Sequence, residues 1–129
     1  GDQYPRKSDK SYIKRKTAET FYDPELASDE LVDEVYDIVN SREKAIRVVF
    51  IAKSAVRHNL RDELHKITIP CNLIWGASDT ITPPFVGEEF KKLLVNSELT
   101  ILEKCGHAPM MERPEEFNKL MAAFLQKIA

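Results

Sequence analysis

The chain has 129 residues, of which 43% are hydrophobic and 31% charged, a composition typical of one soluble globular domain with a sizeable core. The formal net charge of −2 gives no reason to expect a nucleic-acid partner. Two cysteines do not form a disulfide framework, and no apolar run approaches the ~20 residues of a membrane-spanning helix, so we expect a cytoplasmic protein without a membrane partner.

Charge is unevenly distributed before Pro70. Residues 5–16 are rich in Lys and Arg, whereas residues 23–37 carry only acidic charges. Two solvated helix faces of opposite sign explain this pattern, and a phosphate- or carboxylate-binding role of the basic block is the alternative.

Two helices are predicted in the same part of the chain. The first follows Ser28 or Asp29 as its cap, and its apolar residues between Leu31 and Val39 recur at helical spacing. Ser41 can cap the second. That helix is apolar on two sides, so we expect it to be largely buried. Its apolar positions are Ala45, Ile46, Val48, Val49, Phe50 and Ala52.

Strands and helices alternate after Pro70. A buried parallel strand is typically a short, almost continuous apolar run, and Pro is common in the first turn of a helix. The signals are a strand at Ile69–Trp75, a helix that begins at Thr82–Pro84, a strand at Glu98–Leu102 and a helix that begins at Arg113–Glu116. The predicted fold class is therefore α/β, with a helical segment followed by strand–helix–strand–helix and a parallel strand pair.

Asp79 and His107 follow the two predicted strands. Each comes shortly after a glycine, Gly76 or Gly106, that allows a sharp turn, and 28 positions separate them. The carboxyl ends of parallel strands meet at one edge of the sheet, and neighbouring strands lie ~4.8 Å apart. We therefore expect the carboxylate and the imidazole to approach within hydrogen-bond reach, ~3 Å.

A carboxylate beside an imidazole suits nucleophilic hydrolysis. The carboxylate fixes the tautomer of the imidazole and stabilises the imidazolium that forms when the ring takes a proton. The chain order of acid before His is that of hydrolases built on an α/β sheet. The alternative is that Asp79 caps the helix near Pro83 and that His107 is a structural histidine. The two matched glycine turns favour the catalytic interpretation.

The nucleophile is missing from this pattern. No Gly-x-Ser-x-Gly occurs in the chain; Ser78 lacks the flanking glycines, and Cys105 should point into the packing of the sheet. Met110 and Met111 follow the histidine and are candidates for lining a substrate pocket, with packing as the alternative. His58 and His65 are interpreted as solvated histidines, so no metal site is predicted.

Two motifs resemble the α/β-hydrolase superfamily. They are Ile-Pro-x-x-x-Ile-Trp-Gly-x-x-Asp-x-x-x-Pro from Ile69 and Gly-His-x-Pro-x-x-Glu-Arg-Pro-Glu-Glu-Phe from Gly106. The resemblance is to the esterase, lipase and carbon–carbon-bond hydrolase branch. It implies that Asp79 is the acid of the triad and His107 the general base. It also implies that residues 1–65 are a helical cap-like segment and residues 66–129 the C-terminal part of the core.

The resemblance also implies that the nucleophile and the oxyanion hole belong to an N-terminal half outside this sequence. We therefore expect a C-terminal fragment of a hydrolase that is inactive alone and needs no cofactor. In the complete protein its substrate would be a small ester or a similar molecule. We further expect a homo-oligomer or a complementing N-terminal half, because an uncovered strand edge and apolar helix faces seldom stay exposed. The alternative function is a non-catalytic module that binds a partner or a ligand.

Overall fold

The computed structural model describes residues 9–129. Residues 1–8 of the predicted cap-like segment, with Arg6 and Lys7 of the basic block, lie outside the described residues. Two short 3₁₀ helices occur at Pro24–Leu26 and Arg61–Lys66. The longer elements are α1 (Lys10–Ala18), α2 (Asp29–Asn40), α3 (Arg42–Arg57), β1 (Cys71–Gly76), α4 (Pro84–Leu93), β2 (Ser97–Leu102), α5 (Pro109–Glu112) and α6 (Pro114–Ile128).

The chain divides into two compact units. The described part of the first consists of residues 9–18 and 25–59, and the second consists of residues 19–24 and 60–129. The first unit holds α1, α2 and α3, and the second holds both strands and the remaining helices. Residues 19–24, which are part of the predicted cap-like segment, therefore belong to the unit with the strands. The assignment of residues 1–65 as a cap stays a prediction.

In the helical unit, α1 and α2 pair through opposite charges. The hydroxyl of Ser28 accepts a hydrogen bond from the N–H of Leu31 at 3.2 Å, as the predicted cap requires. Lys14 Nζ lies 2.9 Å from Asp29 Oδ1, and Lys10 forms a second ion pair with α2. Such exposed pairs add little stability. They show that Lys10 and Lys14 of the basic block face the acids of α2.

The prediction that the second helix is largely buried is wrong. Ser41 caps it as predicted, through the N–H of Lys44, but α3 contains no buried residue. Phe50 is 68% exposed and Val56 is 83% exposed. Apolar spacing shows that a helix can be buried, but burial also needs an opposing surface. None of the described residues supplies that surface for α3.

The strand unit contains the predicted parallel pair. β1 and β2 pair in register from Cys71 with Ser97 to Gly76 with Leu102, and α4 connects them and packs on both. The helix can approach β1 closely because Gly87 lies against the ring of Trp75, where a Cβ would come within 2.9 Å of a ring carbon. This pairing confirms the predicted α/β fold with a parallel strand pair.

The two strands end in turns that are pressed against each other. The N–H of Ser78 donates to the carbonyl of Cys105 at 2.9 Å. A Cβ on Gly76 would lie 2.0 Å from the carbonyl oxygen of Gly106, a distance that no side chain tolerates. The absence of a side chain at Gly76 therefore lets the turn that carries Asp79 contact the turn that carries His107.

Replacing Gly76 by Ala should destabilise the strand unit by about 3 kcal/mol or more, because the new methyl group meets backbone atoms that cannot rotate away. Urea denaturation measures the loss. The exposed neighbour Ser78→Ala is the matched control and should change the free energy of unfolding little. Equal stability of the two variants would show that the turns are not in contact.

Candidate active site

Asp79 is held in a turn that its own side chain stabilises. Its Oδ1 accepts N–H bonds from Ile81 and Thr82, both at 2.9 Å, and its Oδ2 accepts the hydroxyl of Thr82 at 3.0 Å. The indole N–H of Trp75 donates to the carbonyl of Thr82 at 2.8 Å and ties the turn back to β1. Asp79 is therefore fixed in place, with only 6% of its surface exposed.

This environment favours the ionised form of Asp79. Burial by itself would raise the pKa of the carboxyl group, because charge is poorly solvated in the interior. The hydrogen bonds from the Thr82 N–H, from His107, from the Thr82 hydroxyl and from the Ile81 N–H oppose burial. Together they hold the pKa of Asp79 below its ordinary value. The carboxylate is thus an acceptor only.

His107 meets this carboxylate at the end of the neighbouring strand. Its Nδ1 lies 2.9 Å from Asp79 Oδ2, which confirms the contact expected from the two glycine turns. The N–H of His107 donates to the carbonyl of Thr20 at 2.8 Å. Since Asp79 only accepts, Nδ1 carries the proton, and Nε2 is left as the basic nitrogen. The side chain is 41% exposed, so the ring is not sealed from solvent.

Asp79 does not occupy the cap position of α4. That helix begins at Pro84, and its cap residue is Pro83. The hydrogen bonds of the carboxylate instead shape the turn that precedes the helix. The alternative of a helix cap therefore does not explain why Asp79 is buried against His107.

Glu112, Thr82 and Thr20 support the pair, and no functional role was predicted for them. Glu112 accepts from the N–H of Gly106 at 2.9 Å and of Ala108 at 3.1 Å, the residues on either side of His107. The only sequence signal is the place of Glu112 in the second motif. The contacts of Thr82 and Thr20 come from the folded turns, and no pattern in the sequence points to them.

A cavity of about 190 Å³ adjoins the pair. Met110 and Met111 are both about half exposed, at 54% and 53%, and Met110 lines the cavity whereas Met111 does not. The walls are largely apolar and end at Asp79 and His107, an arrangement suited to an apolar group beside an acid and a base. The other lining residues are Ile74, Trp75, Gly76, Thr82, Pro109 and Phe117.

Cys105 does not serve as the nucleophile. Its side chain is completely buried, and burial, with the nearby charge of Glu112, raises the pKa of the thiol to about 11. A thiol with this pKa supplies almost no thiolate at neutral pH. Within residues 9–129, no group of three or more His, Cys, Asp or Glu side chains is arranged to hold a metal ion. In the same range, no helix has the length and apolarity needed to cross a membrane.

No family model matches the chain. Monoacylglycerol lipase ABHD6 of Rattus norvegicus is 33% identical to it over 78 residues, which are 60% of this chain and 23% of the rat protein. Pimeloyl-(acyl-carrier protein) methyl ester esterase of Neisseria meningitidis is 37% identical over 75 residues, which are 58% of this chain and 24% of the esterase. The matched part thus spans about a quarter of these curated relatives.

Matches to solved structures cover more of this chain. MGS-MChE2, an α/β-hydrolase enzyme from the metagenome of lagoon sediments at Mar Chica, Morocco, is 48% identical. The match has a TM-score of 0.71 and covers 77% of this chain and 45% of that enzyme. The meta-cleavage product hydrolase CumD matches with a TM-score of 0.78, and the match covers 92% of this chain and 46% of the CumD chain. At 17% identity this second match shows the fold alone.

Replacing Asp79 by Asn should lower the free energy of unfolding by about 1–3 kcal/mol near neutral pH, because an amide cannot accept all the hydrogen bonds of a carboxylate. The pKa of Asp79 is lowered by folding, so the stabilisation is complete above the unfolded pKa of about 3.9 and is lost as the pH falls through the folded pKa.

The difference in the free energy of unfolding between the unaltered protein and Asp79→Asn should therefore narrow below about pH 4. Urea denaturation at a series of pH values measures it, with the exposed Asp62→Asn as control. A difference that stays constant or widens in acid would contradict the charged state assigned to Asp79.

Iodoacetamide at pH 8 should alkylate Cys71, which is partly exposed, at least about tenfold faster than Cys105 in the folded protein, because Cys105 is buried and stays protonated. Mass spectrometry of the peptides gives both rates, and unfolding in urea should make them similar. Rapid modification of Cys105 in the folded protein would show an accessible thiolate and reopen its assignment.

Proposed function

Because its relatives and structural neighbours are α/β-hydrolases and the chain corresponds to a C-terminal portion of that fold, we propose that it supplies the acid and the general base of a serine-type hydrolase. Asp79 is the acid and His107 the base. The observation that carries the proposal is the 2.9 Å hydrogen bond between them at the ends of two parallel strands. The serine nucleophile and the oxyanion hole come from a part of the fold outside these 129 residues.

In this mechanism His107 Nε2 takes the proton of a serine hydroxyl while the oxygen attacks the carbonyl carbon of the substrate. The imidazolium that forms is stabilised by the carboxylate of Asp79, which is already ionised and held by its own hydrogen bonds. Nε2 then returns the proton to the leaving oxygen. A water molecule then gives a proton to Nε2 and attacks the carbonyl carbon of the acyl–serine ester. The bond to the serine oxygen breaks, Nε2 returns the proton to that oxygen, and the carboxylic acid product leaves.

A carboxylic ester with an apolar portion is the substrate class that fits best. The lipase and the methyl ester esterase among the relatives both act, by their names, on ester bonds. The cavity beside His107 is lined by Trp75, Met110 and Phe117. We assign Met110 to contact with the apolar portion. Met111 stays a weaker candidate for the same role.

The free edge of β1 is the surface that a complementing half would cover. Among the described residues β1 pairs with β2 on one side, which leaves the groups on its other edge available to a further strand. A hydrolase half that bears the nucleophile fits this edge, and a second copy of the chain is the competing occupant. The exposed apolar face of α3 also suits the alternative function, a module that binds a partner without catalysis.

The chain alone should not hydrolyse p-nitrophenyl acetate, because the acid and the base have no nucleophile to activate. Adding a separately produced N-terminal half of the Mar Chica enzyme should create esterase activity, because that half would supply the nucleophile and the oxyanion hole. His107→Ala should reduce that activity by at least about 10³-fold, whereas the exposed His65→Ala should leave it unchanged.

Two outcomes would contradict the proposal. One is activity of the reconstituted pair that does not depend on His107. The other is a stable complex of the two halves, seen by light scattering, that has no activity; this result would favour the non-catalytic binding module.

A further inference from the structure

We propose that Glu112 is a positioning residue that holds His107 against Asp79. The inference rests on the proposed function, in which His107 is the base. Glu112 ends the short helix α5, and its carboxylate reaches back to the loop that carries the histidine. Oε2 accepts the N–H of Gly106 at 2.9 Å, and Oε1 accepts the N–H of Ala108 at 3.1 Å. The backbone is thus bound immediately before and immediately after His107.

A carboxylate suits this place because it offers two oxygens and no proton. Oε1 lies 3.0 Å from the Gly106 nitrogen as well, so one side chain serves several N–H groups from one direction. Gly106 and Ala108 are buried, and a buried N–H without an acceptor is costly. An amide of the same size has one oxygen and would turn an N–H toward another N–H. Glu112→Gln is therefore a change of acceptor without a change of volume.

The Glu112 carboxylate also binds a segment outside the histidine loop, residues 19–24. The N–H of Tyr22 donates to Glu112 Oε2 at 2.8 Å, and Thr20 in the same segment accepts the N–H of His107 at 2.8 Å. The fit is close, because a Cβ on Gly106 would lie 2.7 Å from the carbonyl oxygen of Thr20. Glu112 thus connects the histidine loop to residues 19–24 by hydrogen bonds and restricts the movement of this loop.

Residues 19–24 also contact the loop of the acid. The hydroxyl of Thr80, next to Asp79, donates to the carbonyl of Glu19 at 3.2 Å. One segment therefore binds both loops, and Glu112 connects it to the loop of the base. Loss of the Glu112 contacts should let His107 drift from Asp79 while the sheet, which does not depend on them, stays intact.

Hydrogen exchange measured by NMR on the whole chain tests this role. In Glu112→Gln, the amides of Tyr22, Gly106 and Ala108 should exchange about tenfold faster or more, because each loses a charge-assisted bond. The ring proton on His107 Nδ1 should also exchange faster or broaden beyond detection. Amides in β1 and β2 should keep their rates. Glu115→Gln, which removes the same charge from an exposed site three residues away, should change none of these signals.

A structural role without positioning gives a different result, because the amides of both strands would then exchange faster along with the loop. That result would overturn the proposal, as would an unchanged Nδ1 proton in Glu112→Gln. If this variant does not fold, the unaltered protein decides. Free-peptide exchange rates at Tyr22, Gly106 and Ala108 would disprove the contacts, and protection would support them. None of these readouts requires catalysis, so the positioning role and the proposed hydrolase function can fail separately.

Discussion

The parallel pairing of β1 with β2 is the constraint on which the candidate site depends. Because both strands run the same way and end in register at Gly76 and Leu102, the residues that follow them emerge at one edge of the sheet. Asp79 and His107 come from loops 28 positions apart, yet they need no long side chain to meet. The absence of a side chain at Gly76 then lets the two turns close on each other.

Polar contacts beyond the sheet convert this proximity into a defined geometry. The turn around Thr82 keeps Asp79 ionised although it is buried, and a buried carboxylate that is fully hydrogen-bonded is an effective partner for an imidazole. The Glu112 side chain binds the backbone of the loop that carries His107. Asp79 and His107 are thus each held by several hydrogen bonds, and residues 19–24 bind both of their loops. In the proposed mechanism neither side chain has to reorganise when a proton moves.

The sequence predicts the part of this arrangement that local patterns encode. Apolar runs, prolines at helix starts and the two glycine turns predict the parallel pair and the contact of Asp79 with His107. The contact of Tyr22 with Glu112 joins residues 90 positions apart, and no periodicity reports such a bond. The burial expected for α3 fails for a related reason. Apolar spacing describes one surface, whereas burial depends on a second surface that none of the described residues provides.

The tautomer of His107 tests the central claim most directly. Nitrogen-15 NMR of the imidazole at pH 8, in the whole chain, distinguishes a protonated nitrogen from an unprotonated one. The account predicts a proton on Nδ1, where Asp79 Oδ2 lies 2.9 Å away, and an unprotonated Nε2 that is ready to accept a proton. A proton on Nε2 with a bare Nδ1 would contradict it, because the carboxylate would then have no proton to bind and His107 could not act as the base.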